Sequence, residues 1–381
     1  MSRRSSAALL AGLSFVCGAA RSEADASVKP APAAAAAPAA AAPAPSAPTA
    51  GGQLYRARLD AGGATVALWR YTAPAGSSGP PIVLFPELGF DHRAYDPLAV
   101  ALQRRGREVF VLEWRGTGQS AAPVRNLGGL DALFLGDAPA ALDAALAASG
   151  APRAHLLGHG LGGAAAVLLA GSERGARVSA LALIAVPARW EIPNEVVRRL
   201  LAALDARPAA PSALVELAPW ADFPAPLPGR AITRLGEGGL PAPDLFELLL
   251  AHGTELSPAR TSELKAGLGR VAPELLRDLR RWMDQGDLQL PDGPLARGGA
   301  LSAAWARLGQ PLLLVAPLRD DLVHPEHALA ARTVAAQAPR EELILQRLEG
   351  APEDAGHLAP MAPWAAQVLG SRLFDFFEAH R

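Results

Sequence analysis

The sequence predicts an α/β domain: a mostly parallel, doubly wound sheet with a helical segment inserted late in the chain. Three observations carry the prediction. Short, nearly continuous apolar runs recur at Ile82–Phe85, Val109–Leu112, His155–Leu157, Ala180–Val186, Leu312–Val315 and Leu343–Leu348, as strands buried on both faces do. Helical periodicity separates them, with Leu130, Leu133, Phe134, Leu142 and Leu146 in one segment and Leu161 to Ala170 in another. Between Pro187 and about Gly298 the strand signal vanishes and proline-punctuated helices take over, clearest at Val196–Leu204, Leu245–Ala251 and Leu275–Trp282. Strand, helix, strand in repetition implies a parallel sheet covered on both faces. The late insertion reads as a helical cap over one end of it.

The elements before the sheet are of another kind. Arg3 and Arg4 precede a short apolar run from Ala7 to Ala20, which falls below the roughly 20 residues needed to cross a bilayer. A basic start, a short apolar core and small residues after it describe a secretory signal over residues 1–26, cleaved after Ala20 or Ala26. The expected destination is therefore export: periplasmic, secreted or held by a lipoprotein anchor. Cys17 is the only cysteine, so no intrachain disulfide can form. It stands where a lipidated cysteine would, but Ser14-Phe15-Val16 fits poorly because Val16 is bulky, and simple secretion is preferred. Residues 27–52 are mostly alanine and proline, a semi-extended tether.

Composition narrows the partners. Of 381 residues, 50% are hydrophobic and 19% charged, enough for one large domain with a full core. The formal net charge of −1 argues against nucleic acid or an anionic membrane surface as a charge-driven partner. The fold is expected to start near Gln53, where Leu54–Leu59 and Ala64–Tyr71 read as a hairpin around Ala61-Gly62-Gly63. The core is expected over 53–186 and 299–381, the cap over 187–298. Trp282, Trp305 and Trp364 sit in helical patterns and read as core.

The informative segment is Ala154-His155-Leu156-Leu157-Gly158-His159-Gly160-Leu161-Gly162-Gly163: a buried strand, a glycine-dense turn, then a helix. It resembles the nucleophile elbow of the α/β-hydrolase superfamily, whose lipase-, esterase- and polyester-synthase-like members often read Gly-His-Ser-Met-Gly-Gly there. Other pieces resemble the same family in order. Trp114-Arg115-Gly116-Thr117-Gly118-Gln119-Ser120 is similar to the turn after the fourth strand. Asp320-Asp321-Leu322-Val323 follows a strand as the acid loop does, and Gly356-His357 falls at the final histidine. The resemblance covers residue 54 to the end. It implies an eight-stranded, mostly parallel sheet, with Asp320 (from the Asp-x-x-Val spacing, Asp321 competing) and His357 as triad-equivalent residues. It also implies backbone donors at Leu88 and Leu161, and His159 beside the nucleophile position.

Two positions depart from the pattern. Gly160 stands where the nucleophile belongs and has no side chain to attack a carbonyl. Pro86-Glu87-Leu88-Gly89 replaces the His-Gly before the oxyanion residue, so Glu87 would put a carboxylate where negative charge should develop. Two losses together imply abandoned acyl chemistry. The expected function is a catalytically degenerate protein binding a small apolar, acyl-like ligand around Glu87, Leu88, His159 and Leu161. The alternative is an ester hydrolase without serine, working through His357, Asp320 and Glu87. Gly158, Gly160 and Gly163 also spell a dinucleotide fingerprint, but the next strand ends at Pro187 without the required acid, so no cofactor is expected. His324-Pro325-Glu326-His327 lacks the spacing and third ligand of a metal site, so no metal is expected.

Overall fold

The computed structural model describes residues 52–59, 65–120, 127–189, 215–216, 256–290, 300–352 and 355–381. The signal, the Ala/Pro tether up to residue 51, Cys17 and the cap segments Val196–Leu204 and Leu245–Ala251 lie outside the described residues.

Eight strands form one sheet in the order β1-β2-β4-β3-β5-β6-β9-β10. They are β1 (Gln53–Arg58), β2 (Thr65–Tyr71), β3 (Ile82–Phe85), β4 (Val109–Leu112), β5 (Ala154–His159), β6 (Val178–Ile184), β9 (Leu312–Ala316) and β10 (Arg340–Ile344). The β1–β2 and β2–β4 pairs are antiparallel and all the others parallel. Strands β3 to β6 and β9 are buried along their whole length, which is why each reads as an unbroken apolar run.

Alternation along those strands feeds two separate cores. Val83 and Phe85 of β3 pack into one, with Leu142 and Ala145 of α2 (Ala138–Ser149) and the fully buried α3 (Leu161–Ala170). Ile82 and Leu84 face the other, with Leu98 and Leu102 of α1 (Asp96–Arg104) and Leu369, Leu373 and Phe377 of a long C-terminal helix (Pro363–Ala379). Side chains one residue apart on a strand point to opposite faces, so a doubly covered sheet needs apolar residues at every position. Trp282 and Trp305 are buried and Trp364 half-buried.

Two expectations need correction. The last strand is Arg340–Ile344 and not Leu343–Leu348. It is an edge strand whose first three residues are exposed, so it lacks the apolar run on which the reading relied. The segment 187–298 is not helical throughout. Val215–Glu216 (β7) pairs antiparallel with Arg270–Val271 (β8), too short a ladder to leave a pattern. Its described helices are α4 (Pro258–Ala266) and α5 (Pro273–Gln285). The expected helix over Leu130–Leu146 is present, with a π-helical stretch, Ala132–Asp137, just before α2.

Candidate active site

The elbow connects β5 to α3 at the centre of the sheet. Gly160 has φ 51° and ψ −119°, a backbone region that side-chain-bearing residues enter only under strain. Its N–H donates to the Ile184 carbonyl at 3.0 Å. Space is also taken here: a Cβ on Gly160 would lie 1.5 Å from Glu87 Oε2, the end of a side chain that would have to move, and 3.3 Å from His357 Nε2.

Glu87 fills that space. It follows β3, is 4% exposed, and turns its carboxylate into the elbow. Oε1 accepts the Leu88 N–H at 2.6 Å, and Oε2 accepts the Leu161 N–H at 3.2 Å. These two donors are the ones that the resemblance assigns to a developing oxyanion. On its other side Oε2 lies 3.0 Å from His357 Nε2. One carboxylate therefore takes both the oxyanion's donors and the nucleophile's contact with histidine.

His357 continues the line. Its Nδ1 lies 2.8 Å from Asp320 Oδ2, and Asp320 Oδ1 is held by the N–H groups of Leu322 and Val323 at 2.9 and 2.7 Å. Asp320 and His357 are 2% and 1% exposed, whereas Asp321 is on the surface. A ring between two carboxylates donates from both nitrogens only as an imidazolium. Burial alone pushes the His357 pKa down, but the Asp320 charge and hydrogen bond, then Glu87, outweigh it and lift the value to about 10. At neutral pH this histidine carries its proton and has no lone pair with which to act as a base.

A buried relay fixes the loops that bear these groups. The Glu87 N–H donates to the Tyr95 hydroxyl at 2.7 Å, and that hydroxyl contacts His159 Nδ1 at 2.7 Å. His159 Nε2 meets the His357 carbonyl at 2.9 Å. A carbonyl only accepts, so His159 carries its proton on Nε2, and its unprotonated Nδ1 accepts a hydrogen bond from the Tyr95 hydroxyl. Burial, then the nearby His357 charge, hold the His159 pKa well below the usual histidine range, and burial pushes that of Tyr95 well up. Both groups are thus neutral.

The structure brings together Glu87, Leu88, His159, Gly160, Leu161, Asp320 and His357. Two further residues belong with them. Tyr95 links Glu87 to His159. Arg260, 8% exposed on α4, donates to the Arg93, Ala94 and Met361 carbonyls at 3.1, 2.7 and 3.1 Å and pairs with Glu263 at 2.6 Å. It thereby ties the inserted segment to the turn carrying Tyr95 and to the stretch after His357. Neither had a sequence signal, since each acts across a gap that only folding closes. A surface groove of about 530 Å³, lined by Gly171, Ser172, Arg307 and Gln310 among others, lies at the opposite end of α3 and contains none of these groups.

Comparison with known proteins agrees with this architecture. A family model described as alpha/beta hydrolase fold matches residues 80–224. A protein of Variovorax paradoxus (strain S110) that bears the name "Putative carbamate hydrolase RutD" is 34% identical over 160 residues. That match covers 41% of this chain and 56% of the relative, so the chain spans little more than half of the relative's length. Among solved structures, a hydrolase from Pseudomonas aeruginosa PA01 superposes with a TM-score of 0.53 at 20% identity, covering 85% of this chain and 97% of that one. A malate-bound thermophilic esterase from Thermogutta terrifontis gives 0.55 at 16%, covering 86% and 100%. The esterase RhEst1 from Rhodococcus sp. ECU1013 gives 0.54 at 17%, covering 86% and 99%.

Proposed function

The chain has the α/β-hydrolase fold, and from that premise we propose that it is a binding protein that has given up serine-type acyl transfer. One observation carries the reading: the Leu88 and Leu161 N–H groups both donate to the chain's own Glu87 carboxylate. Acyl transfer depends on donors held ready for charge that appears only in the transition state. Here they are already satisfied by a permanent anion. Gly160 supplies no nucleophile, and His357 is held as imidazolium, so nucleophile, base and oxyanion hole are each lost. What remains is a buried cluster of polar groups edged by Leu88 and Leu161, suited to a small ligand with an apolar or acyl part.

The test is labelling with a serine-directed fluorophosphonate, beside hydrolysis of short and long acyl esters and of carbamate esters, the last suggested by the carbamate-hydrolase relative. The expected result is neither labelling nor turnover. Turnover accompanied by a labelled serine refutes the proposal.

A second reading rests on the 3.0 Å contact between Glu87 Oε2 and His357 Nε2, which gives Glu87, His357 and Asp320 the connectivity of a triad. If Glu87 serves as a reacting carboxylate, the wild type hydrolyses esters without fluorophosphonate labelling and Glu87→Gln abolishes the activity.

A further inference from the structure

Glu87 is bound in the manner of a ligand. Its two oxygens meet separate donors, Leu88 N–H at 2.6 Å on Oε1 and Leu161 N–H at 3.2 Å on Oε2, and His357 Nε2 adds a third contact at 3.0 Å. The donors come from three parts of the chain: the loop after β3, the first residue of α3, and the loop before the C-terminal helix. Only one of them belongs to the residue next to Glu87 in sequence. Gly160, with no Cβ, leaves the space in which Oε2 sits.

We infer that this is a binding cradle for a monocarboxylate, and that Glu87 is its tethered occupant, which a free small carboxylic acid replaces when Glu87 withdraws. The inference rests on the binding reading above and names its ligand class. Donors on both oxygens, one at Oε1 and two at Oε2, match the flat, two-oxygen carboxylate group. Charge selects against larger anions. Asp320 already neutralises His357 through its 2.8 Å contact, so a monoanion restores the charge that the site now holds. A phosphate dianion would add a further buried negative charge, which a water-poor site penalises. Leu161 is buried and Leu88 half-buried beside the cradle, an apolar rim consistent with an acid bearing a short hydrocarbon chain.

A tethered group competes as though present at millimolar concentration. Wild-type protein is therefore expected to bind free acids weakly, and a protein lacking the tethered carboxylate to bind them well. The experiment titrates full-length wild type, Glu87→Gly and Glu87→Ala with sodium acetate, sodium butyrate and inorganic phosphate. Calorimetry gives affinity, and ¹⁵N shifts of the His357 ring report the site. Both variants are expected to bind acetate and butyrate at least about 100-fold more tightly than wild type, as loss of an intramolecular competitor allows. His357 should shift in step, and phosphate should produce neither response. Adding His357→Gln to Glu87→Gly should abolish the response. The inference is overturned if either variant, folded by circular dichroism, takes up no carboxylate. It is equally overturned if wild type binds as tightly as the variants, since the acid then sits elsewhere. Ester turnover and fluorophosphonate labelling of the wild type, read separately, decide the binding proposal. A wild type that is inert while neither variant binds acetate refutes this inference and leaves that proposal standing.

Discussion

Exchanging glycine and side chain between positions 87 and 160 tests whether the site is a hydrolase elbow refitted around Glu87. Gly160→Ser alone meets two obstacles. At φ 51° and ψ −119° a side-chain-bearing residue costs about 1–3 kcal/mol. Its Cβ also falls 1.5 Å from Glu87 Oε2, so the carboxylate must leave both backbone donors and His357. Hydrogen bonds to charged groups contribute about 1.5–3 kcal/mol each, so losing three costs as much as a large part of the roughly 5–15 kcal/mol that holds a domain together. Combining Glu87→Gly with Gly160→Ser removes the collision and leaves chiefly the backbone strain. It also takes one carboxylate away from His357, which brings the ring back toward a range in which it accepts a proton. Urea unfolding of wild type, both single variants and the double variant should give a coupling energy near the top of the range for touching residues, about 3 kcal/mol. Fluorophosphonate should label the double variant at position 160 and leave wild type unlabelled. A coupling below about 0.5 kcal/mol, the level of independent sites, or a single variant that labels as fast as the double, refutes the reasoning.

Other consequences follow from the same contacts. The folded-state pKa of His357, about 10, lies above the ordinary histidine value of 6.5, so the stability it contributes is complete below about pH 6.5 and is lost as pH rises towards 10. Unfolding free energy measured across that window should fall, and Glu87→Gln should shallow the slope. His155 behaves in the opposite sense: burial first, then the Arg107 charge, lower its pKa to about 3, and neither ring nitrogen has a hydrogen-bond partner among the described residues. Stability should therefore decline as pH drops from about 6.5 towards 3, and His155→Leu should flatten that limb in acid denaturation. Tyr95→Phe strands the Glu87 N–H and His159 Nδ1 and should destabilise by about 1–3 kcal/mol in urea, the usual cost of an unpaired buried polar group.

Much of this architecture is legible in the sequence because buried parallel strands and glycine turns leave local marks. Ile82–Phe85 and Val109–Leu112 coincide with β3 and β4 to the residue, since nothing but apolar side chains fits between two layers of helices. The edge strand β10 is misplaced for the converse reason: Arg340, Glu341 and Glu342 face solvent, and an exposed strand carries no apolar run. Asp320, Gly160 and His357 can be found by their place in a motif. That Glu87 opposes an oxyanion is also readable from its position after β3. Its occupation of both donors and the histidine at once is not, because the contact with Leu161 spans 74 residues and that with His357 spans 270. Arg260 and Tyr95 lie further out of reach, since neither stands in any motif.

The way α4 is attached has mechanical consequences. Apart from Arg260, the buried residue of that helix is Leu264, which packs into the core, and the helix adds to it one guanidinium gripping the carbonyls of Arg93, Ala94 and Met361. A greasy interface yields by sliding, giving up contact in small increments. A fork of directional bonds behaves as a latch, engaged or released, because tilting the plane misaligns every bond together. One arm of that latch ends one residue before Tyr95 and another lies four residues beyond His357. A pull on α4 that reaches the latch is thus delivered to both walls of the site together.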